Sequence, residues 1–285
     1  MCEEKRSCSV CPHRCTLTEG KTGLCRARGM RDGEIVPLNY GVVSSIALDP
    51  IEKKPLARFY PGSVILSVGS FGCNLRCPFC QNWEISTSDG REYLREPERS
   101  FVTPERLAEL AEELRGRGNI GVAFTYNEPL IGWEYVRDTA LLLRARGLKT
   151  VLVTNGCVNE EIAEQILPLT DALNIDLKCF REETYTNILG GDLETVKRFI
   201  ARAAESCHVE LTTLVVPGMN DGEDEIRELT AWIASLPKGE EIPLHLTRFF
   251  PRHHMRDRQA TERQSVLRLA SVARERLCWV YTGNM

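Results

Sequence analysis

The sequence has no apolar run approaching the roughly 20 residues that a membrane-spanning helix needs, which excludes a helical integral membrane protein. Its first residues, Met1-Cys2-Glu3-Glu4-Lys5-Arg6, carry charge with no apolar stretch behind them, so no secretory signal is visible and a cytoplasmic location is expected. No internal repeat and no low-complexity segment is present, which sets solenoid and linker architectures aside. There is also no basic excess. Lys and Arg number 36 against 40 Asp and Glu, a net charge of −4, and the pI is near 5.9, unlike a dedicated polynucleotide binder. Apolar residues are not scarce: at 42% hydrophobic and 27% charged, a disordered chain is excluded. A chain of 285 residues buries roughly 75% of its unfolded surface and needs no covalent staples. Against this background the 12 cysteines stand out, and without export they point to metal or redox chemistry rather than to disulfides.

The cysteines are grouped. Cys2, Cys8, Cys11, Cys15 and Cys25 fall in the first 25 residues, and Cys73, Cys77 and Cys80 fall within eight. None lies between Cys80 and Cys157, and Cys157, Cys179, Cys207 and Cys278 are isolated, as small buried hydrophobes usually are.

From residue 60 onward the pattern alternates strand and helix. Val64 to Val68 reads as a buried strand. Thr103-Pro104-Glu105 opens a helix with a hydroxyl cap and a first-turn proline, running to Arg115. Strands follow at 120–125, 149–154, 172–177, 208–216 and 243–248, with helices at 131–146, 159–167, 192–206, 222–235 and 261–276 and a short last strand at 277–281. Regular alternation implies a parallel sheet covered by helices, and six βα units are too few to close an eight-unit barrel. The expected fold class is therefore α/β, a partial (β/α)6 TIM-like barrel over residues 41–285 with a small cysteine-rich N-terminal lobe over residues 1–40. In such scaffolds chemistry gathers at the strand C-termini. The segment with Cys73, the run Tyr126-Asn127-Glu128-Pro129, Thr154-Asn155-Gly156, Asp176-Leu177-Lys178, Pro217-Gly218 and His245 are each expected at such an end, on one rim.

Phe71-Gly72-Cys73-Asn74-Leu75-Arg76-Cys77-Pro78-Phe79-Cys80 contains C-x3-C-x2-C. Thiolates ligate iron–sulfur clusters, and a cubane normally takes four, so three close cysteines leave one iron open to a non-protein ligand. A zinc site completed by a distant residue is the competing reading; structural zinc prefers paired C-x2-C units and a closed shell. The N-terminal group, Cys8-x2-Cys11-Pro12-His13-x-Cys15 and then Cys25, could wrap one zinc ion or a second cluster, with His13 as a further ligand or a neighbour. Between Arg248 and Arg276 eight arginines face three acids, Asp257, Glu262 and Glu275, which reads as a solvated helix face or as an anion-binding rim.

With its flanks, the Cys73–Cys80 segment resembles the signature of the radical S-adenosylmethionine (radical SAM) superfamily. The resemblance implies a 4Fe–4S cluster on Cys73, Cys77 and Cys80, with S-adenosylmethionine (SAM) on the open iron. It implies reductive cleavage of SAM to methionine and a 5′-deoxyadenosyl radical that abstracts hydrogen from a substrate. Glycyl-radical activases offer further matches. Phe79 resembles the aromatic that packs near the adenine. Asn127 and Glu128 lie where the family has Gly-Gly-Glu, with Tyr126 and Asn127 replacing the glycines. Thr154 and Asn155 match a Thr-Asn-Gly turn, although Val153 stands where activases have an aspartate. Asp176 and Lys178 match a strand end near the cofactor carboxylate and its cation, and His245 a histidine near the ribose. Each of these also fits a polar rim residue of a βα fold. The lobe, Asn39-Tyr40-Gly41, the run Leu48 to Leu56 and Cys80-Gln81-Asn82-Trp83-Glu84-Ile85-Ser86 resemble the AmmeMemoRadiSam-system radical enzymes over nearly the whole chain. The implied partners are a flavodoxin- or ferredoxin-type electron donor and a protein substrate or Memo-like protein, with no membrane and no nucleic acid. The substrate is open: a small molecule, or a glycine of a partner if the chain is an activase. A non-enzymatic zinc-binding adaptor is the remote alternative.

Overall fold

The computed structural model describes residues 4–95 and 100–285; Cys2 lies outside them. Two small antiparallel hairpins come first, β1 (Arg6–Ser7) with β2 (Thr16–Leu17) and β3 (Arg28–Arg31) with β4 (Glu34–Pro37). The main sheet follows: β5 (Ser45–Pro50), β6 (Val64–Gly69), β7 (Asn119–Phe124), β8 (Lys149–Thr154), β9 (Ala172–Asp176), β10 (His208–Val215), β11 (Leu244–Arg248) and β12 (Val280–Gly283). These eight strands form one sheet in sequence order, with β5 and β12 at its edges, so the barrel is open. Strands β6 to β12 are all parallel, as alternation implies. Strand β5 is antiparallel to β6 and was not foreseen.

Among the described residues, six helices of seven residues or more cross over between the parallel strands: α1 (Pro104–Glu113), α2 (Trp133–Ala145), α3 (Glu160–Ile166), α4 (Leu193–Ala204), α5 (Glu223–Ala234) and α6 (Arg263–Ala273). Their starts have local causes. Thr103 accepts from the Arg106 N–H with Pro104 at the first turn, and Asp192 accepts from the Thr195 N–H at 2.6 Å. Gly147, at φ +66°, turns the chain after α2 in a backbone region that penalises other residues.

Alternation along the strands divides the core in two. Leu66, Val68, Val122, Phe124, Leu152 and Leu173 belong to the large cluster shared with the helices, whereas Ile65, Ala123, Val151 and Ala172 belong to a smaller one. The smaller cluster is completed by Ile51, Leu56 and Phe59 from the β5–β6 connection. That connection therefore plugs the barrel interior at the N-terminal end of β6, opposite the cysteine loop that leaves its C-terminal end. The lobe is fused to the barrel rather than tethered to it. Cys8 and Val10 join the large cluster, and Cys25 and Ala27 pack with Phe71 and Ile131. A salt bridge, Arg28–Glu134 at 2.6 Å, and a bond from Asn159 Nδ2 to the Ser9 carbonyl at 2.6 Å add polar ties. Of the isolated cysteines, Cys157 and Cys179 are buried, Cys207 is half-buried and Cys278 is exposed.

Candidate active site

The chain leaves β6 through Ser70, Phe71 and Gly72 into Cys73. Gly72 has φ +86°, and a Cβ there would lie 2.5 Å from the Cys25 carbonyl oxygen, so only glycine fits where the loop passes the lobe. Asn127, at the end of β7, holds this loop. Its Oδ1 accepts from the Ser70 N–H at 2.9 Å, and its Nδ2 donates to the carbonyls of Phe71 and Gly72, both at 3.1 Å, and of Glu128 at 3.2 Å. Asn74 adds a second brace by donating to the Cys157 carbonyl at 2.6 Å and accepting from Asn155 Nδ2 at 2.9 Å. The third comes from the lobe: His13 donates from Nε2 to the Asn74 carbonyl at 2.9 Å, which fixes that nitrogen as the protonated one.

Cys73, Cys77 and Cys80 are brought to one place, close enough for each charge to act on the others. Burial, Glu128 and the neighbouring thiols push Cys73 well above its ordinary value, and burial pushes Cys77 up to about 11 against the pull of Lys178. Bound iron reverses that preference, because a coordinating thiol is deprotonated outright. The donors around the thiols suit an anionic centre. The Leu75 N–H lies 3.4 Å from Cys73 Sγ, Asn155 Nδ2 lies 3.7 Å from it, and the Lys178 cation stands beside Cys77. Among the described residues no three His, Cys, Asp or Glu side chains stand in an arrangement ready for one metal ion. A cubane is several times larger than one ion and spreads its thiolates accordingly.

Glu128 is 2% exposed and is used within the protein. Its Oε1 accepts from Thr154 Oγ1 at 2.6 Å and from the Leu130 N–H at 3.0 Å, and Oε2 accepts from the Asn155 N–H at 2.7 Å. Burial outweighs these bonds and raises its pKa to about 7. Thus Asn127, Glu128, Thr154 and Asn155 lock the turns after β7 and β8 to the cysteine loop. Lys178 Nζ donates to Asp176 Oδ2 at 2.9 Å; although burial opposes its charge, Asp176 and Cys77 hold its pKa well above the usual lysine value. Phe79 is buried in the large core cluster.

His245 needs a correction: it is the second residue of β11, near the strand start and not its end. It lies level with Asp176 and Thr212 in the register and stacks on Tyr281 at 5.1 Å. Its Nε2 meets Glu210 Oε2 at 2.6 Å. Glu210 was not foreseen. It is fully buried and accepts from four donors: His245, His208 at 2.9 Å, the Ala57 N–H at 2.9 Å and the Arg58 N–H at 2.7 Å. Despite burial these bonds pull its pKa down from 4.5 to about 2. The available signal was His208, Glu210 and Thr212 alternating as polar residues on one strand face. A second unforeseen group links the plug to the rim. Asp49 accepts from Lys54 Nζ at 3.0 Å and from the Tyr126 hydroxyl at 2.9 Å, and Tyr126 takes the left-handed φ of +73°.

In the lobe, Cys8, Cys11, Cys15 and Cys25 line one cavity together with His13, Gly23 and Arg28. Burial and the other three thiols raise Cys11 to about 12. Arg28 is buried there, and among the described residues its Nε has no hydrogen-bond partner.

The Radical SAM superfamily model matches residues 67–230, which include the cysteine loop and the turns that lock it. An uncharacterized protein of Methanocaldococcus jannaschii is 35% identical over 285 residues, covering 99% of this chain and 82% of the relative. The chain belongs to the radical SAM superfamily. Membership implies a 4Fe–4S cluster and SAM. Within the superfamily, the pyruvate formate-lyase 1-activating enzyme of Escherichia coli K12 is 29% identical over 184 residues, covering 61% of this chain and 71% of that one. Streptococcus suis SuiB bound to S-adenosylmethionine has a similar fold at 12% identity and TM-score 0.56, over 75% of this chain and 48% of that one. A spore photoproduct lyase variant matches 85% of this chain and 80% of its own at TM-score 0.52 and 11% identity. No helix among the described residues is long and apolar enough to cross a membrane.

Proposed function

We propose that the chain is a radical SAM enzyme whose Cys73, Cys77 and Cys80 hold the 4Fe–4S cluster with one iron left for SAM. The observation that carries this is the convergence of the three thiols on the loop after β6, braced by Asn127, Asn74 and Asn155 with the Lys178 cation at Cys77. When bound there, a cluster would supply the one electron that cleaves SAM to methionine and a 5′-deoxyadenosyl radical able to take a hydrogen atom from a substrate. The chain's own residues supply placement. Asp176 and Lys178 present a fixed charge pair to the amino-acid end of SAM, and Phe79 walls the cluster loop. His245, anchored through Nε2 on Glu210, would stand near the ribose. Asn127, Glu128, Thr154 and Asn155 keep the turns from shifting as the site fills. The four lobe thiols would hold zinc or a second cluster, whose anionic charge the unpartnered Arg28 Nε suits. The substrate would give up its hydrogen at the rim, and the 29% identity to a pyruvate formate-lyase-activating enzyme supports a glycine of a partner protein as the second reading.

Anaerobically reconstituted protein, reduced with dithionite, should convert SAM to 5′-deoxyadenosine, followed by chromatography and mass spectrometry. Replacing any one of Cys73, Cys77 or Cys80 by Ala should abolish the product. Persistent product in those variants would remove the assignment. A glycyl radical seen by electron paramagnetic resonance (EPR) on a candidate partner would choose the activase reading over a small-molecule substrate.

A further inference from the structure

The arginine-rich C-terminal segment divides in the structure. Arg248 donates to the Thr261 carbonyl at 2.5 Å, Arg268 pairs with Glu223 at 3.3 Å and Arg274 donates to the Val280 carbonyl at 2.9 Å, so these serve the fold. Arg252, Arg256 and Arg258 do not. They lie on an irregular loop, residues 249–262, before α6; all three are exposed, and among the described residues none has a carboxylate within 4.0 Å. His254 is exposed beside them, and Asp257 is the loop's one acid between Phe249 and Thr261. The loop is fastened to the cysteine loop. The His254 N–H donates to the Pro78 carbonyl at 2.9 Å, between Cys77 and Cys80. His253 stacks on Trp83 at 5.3 Å with the planes 11° apart, and the Arg256 guanidinium lies 5.8 Å from the same ring. Three exposed cations, without a carboxylate partner among the described residues, thus lie on a loop bonded to the thiol-bearing loop, in a chain whose net charge is −4.

We propose that this face docks an acidic one-electron carrier protein that reduces the cluster, an inference that rests on the radical SAM reading above. An acidic rim around a carrier's redox centre complements the arginines, and docking there places that centre beside the peptide joining two cluster ligands. The balance closes: the carrier is oxidised by one electron, and that electron ends in the broken carbon–sulfur bond of SAM, leaving neutral methionine and the 5′-deoxyadenosyl radical. Unpaired surface cations contribute mainly to association rate and to salt dependence.

The test uses reconstituted holoenzyme and reduced recombinant flavodoxin as the probe, comparing wild type with R252E/R256E/R258E and with the same three residues changed to Lys. Binding by biolayer interferometry and 5′-deoxyadenosine formation are both measured, the latter also with dithionite. Charge reversal should weaken flavodoxin binding and slow flavodoxin-driven turnover by roughly tenfold or more, and flatten its salt dependence. Dithionite-driven turnover should stay unchanged, and the Lys variant should keep most of the binding. Equal loss with dithionite, or no loss with flavodoxin, overturns the docking assignment. Tighter wild-type binding to duplex DNA than to flavodoxin overturns it in favour of a nucleic acid. A wild type that forms no 5′-deoxyadenosine with dithionite fails earlier, at the radical SAM reading, and takes this proposal with it.

Discussion

Glu210→Gln is the most informative single substitution outside the cysteines. The carboxylate is fully buried in β10 and accepts four hydrogen bonds, two from histidines and two from the backbone of the interior plug. Its pKa falls from 4.5 to about 2, so the charged form is favoured in the fold by about 3 kcal/mol, at 1.36 kcal/mol per pH unit. Because the folded value is the lower one, this contribution is present above pH 4.5 and is lost as pH falls toward 2. Counting bonds gives a similar figure. An amide oxygen can serve two of the four donors, leaving two facing an NH2 group at about 1–3 kcal/mol each. At roughly 2–4 °C per kcal/mol, Glu210→Gln should lower the Tm by about 6–12 °C near pH 7.5. Circular dichroism of the metal-free protein measures this without interference from the cluster. The same variant frees His245 to rotate, so KM for SAM should rise more than kcat falls. A Tm within 1–2 °C of wild type would refute the claim that Glu210 ties the plug to the sheet.

Three further outcomes are expected. Gly72→Ala places a Cβ 2.5 Å from the Cys25 carbonyl oxygen at a left-handed φ, and should cost at least about 2 kcal/mol in urea unfolding; an unchanged midpoint would show that lobe and cysteine loop move apart freely. Glu128 has its pKa raised to about 7, so its contribution is full below 4.5 and falls by about 3 kcal/mol as pH rises through 7. The stability difference between wild type and Glu128→Gln should therefore shrink from pH 5 to pH 7.5, and a flat difference would contradict the burial argument. Cys11→Ala should remove the lobe's metal, measured by elemental analysis, while 5′-deoxyadenosine formation persists in part; loss of iron at the central loop as well would mean that the lobe holds both.

The parallel sheet and its six helices were legible because their signals are local. Thr103-Pro104, Asp192 and Gly147 mark helix ends within a few residues of where they act. The polar runs at the ends of β7, β8 and β9 were legible for the same reason, whereas His245 falls near the start of β11. What escaped depends on contacts far apart in sequence. Nothing near Glu210 announces that Ala57 and Arg58 will donate to it, and nothing near Asn127 shows that it will hold Ser70 and Gly72. Strand β5 went unread because Ser45–Pro50 has no strict alternation and finds its partner only as the antiparallel neighbour of β6. The arginine segment was half legible: the helix-face reading suits Arg268, whereas Arg252, Arg256 and Arg258 lie on the loop before it.

The central claim is that three thiolates hold a cluster whose fourth iron is open, and EPR of the reduced protein tests it most directly. Wild type, reconstituted anaerobically and reduced, should show a 4Fe–4S signal that shifts on addition of SAM, with about four irons assigned to the central site. The Cys73→Ala/Cys77→Ala/Cys80→Ala protein should lack that signal and keep only what the lobe binds. A wild-type signal that SAM leaves unchanged, or a SAM-sensitive signal that survives the triple substitution, would contradict the account.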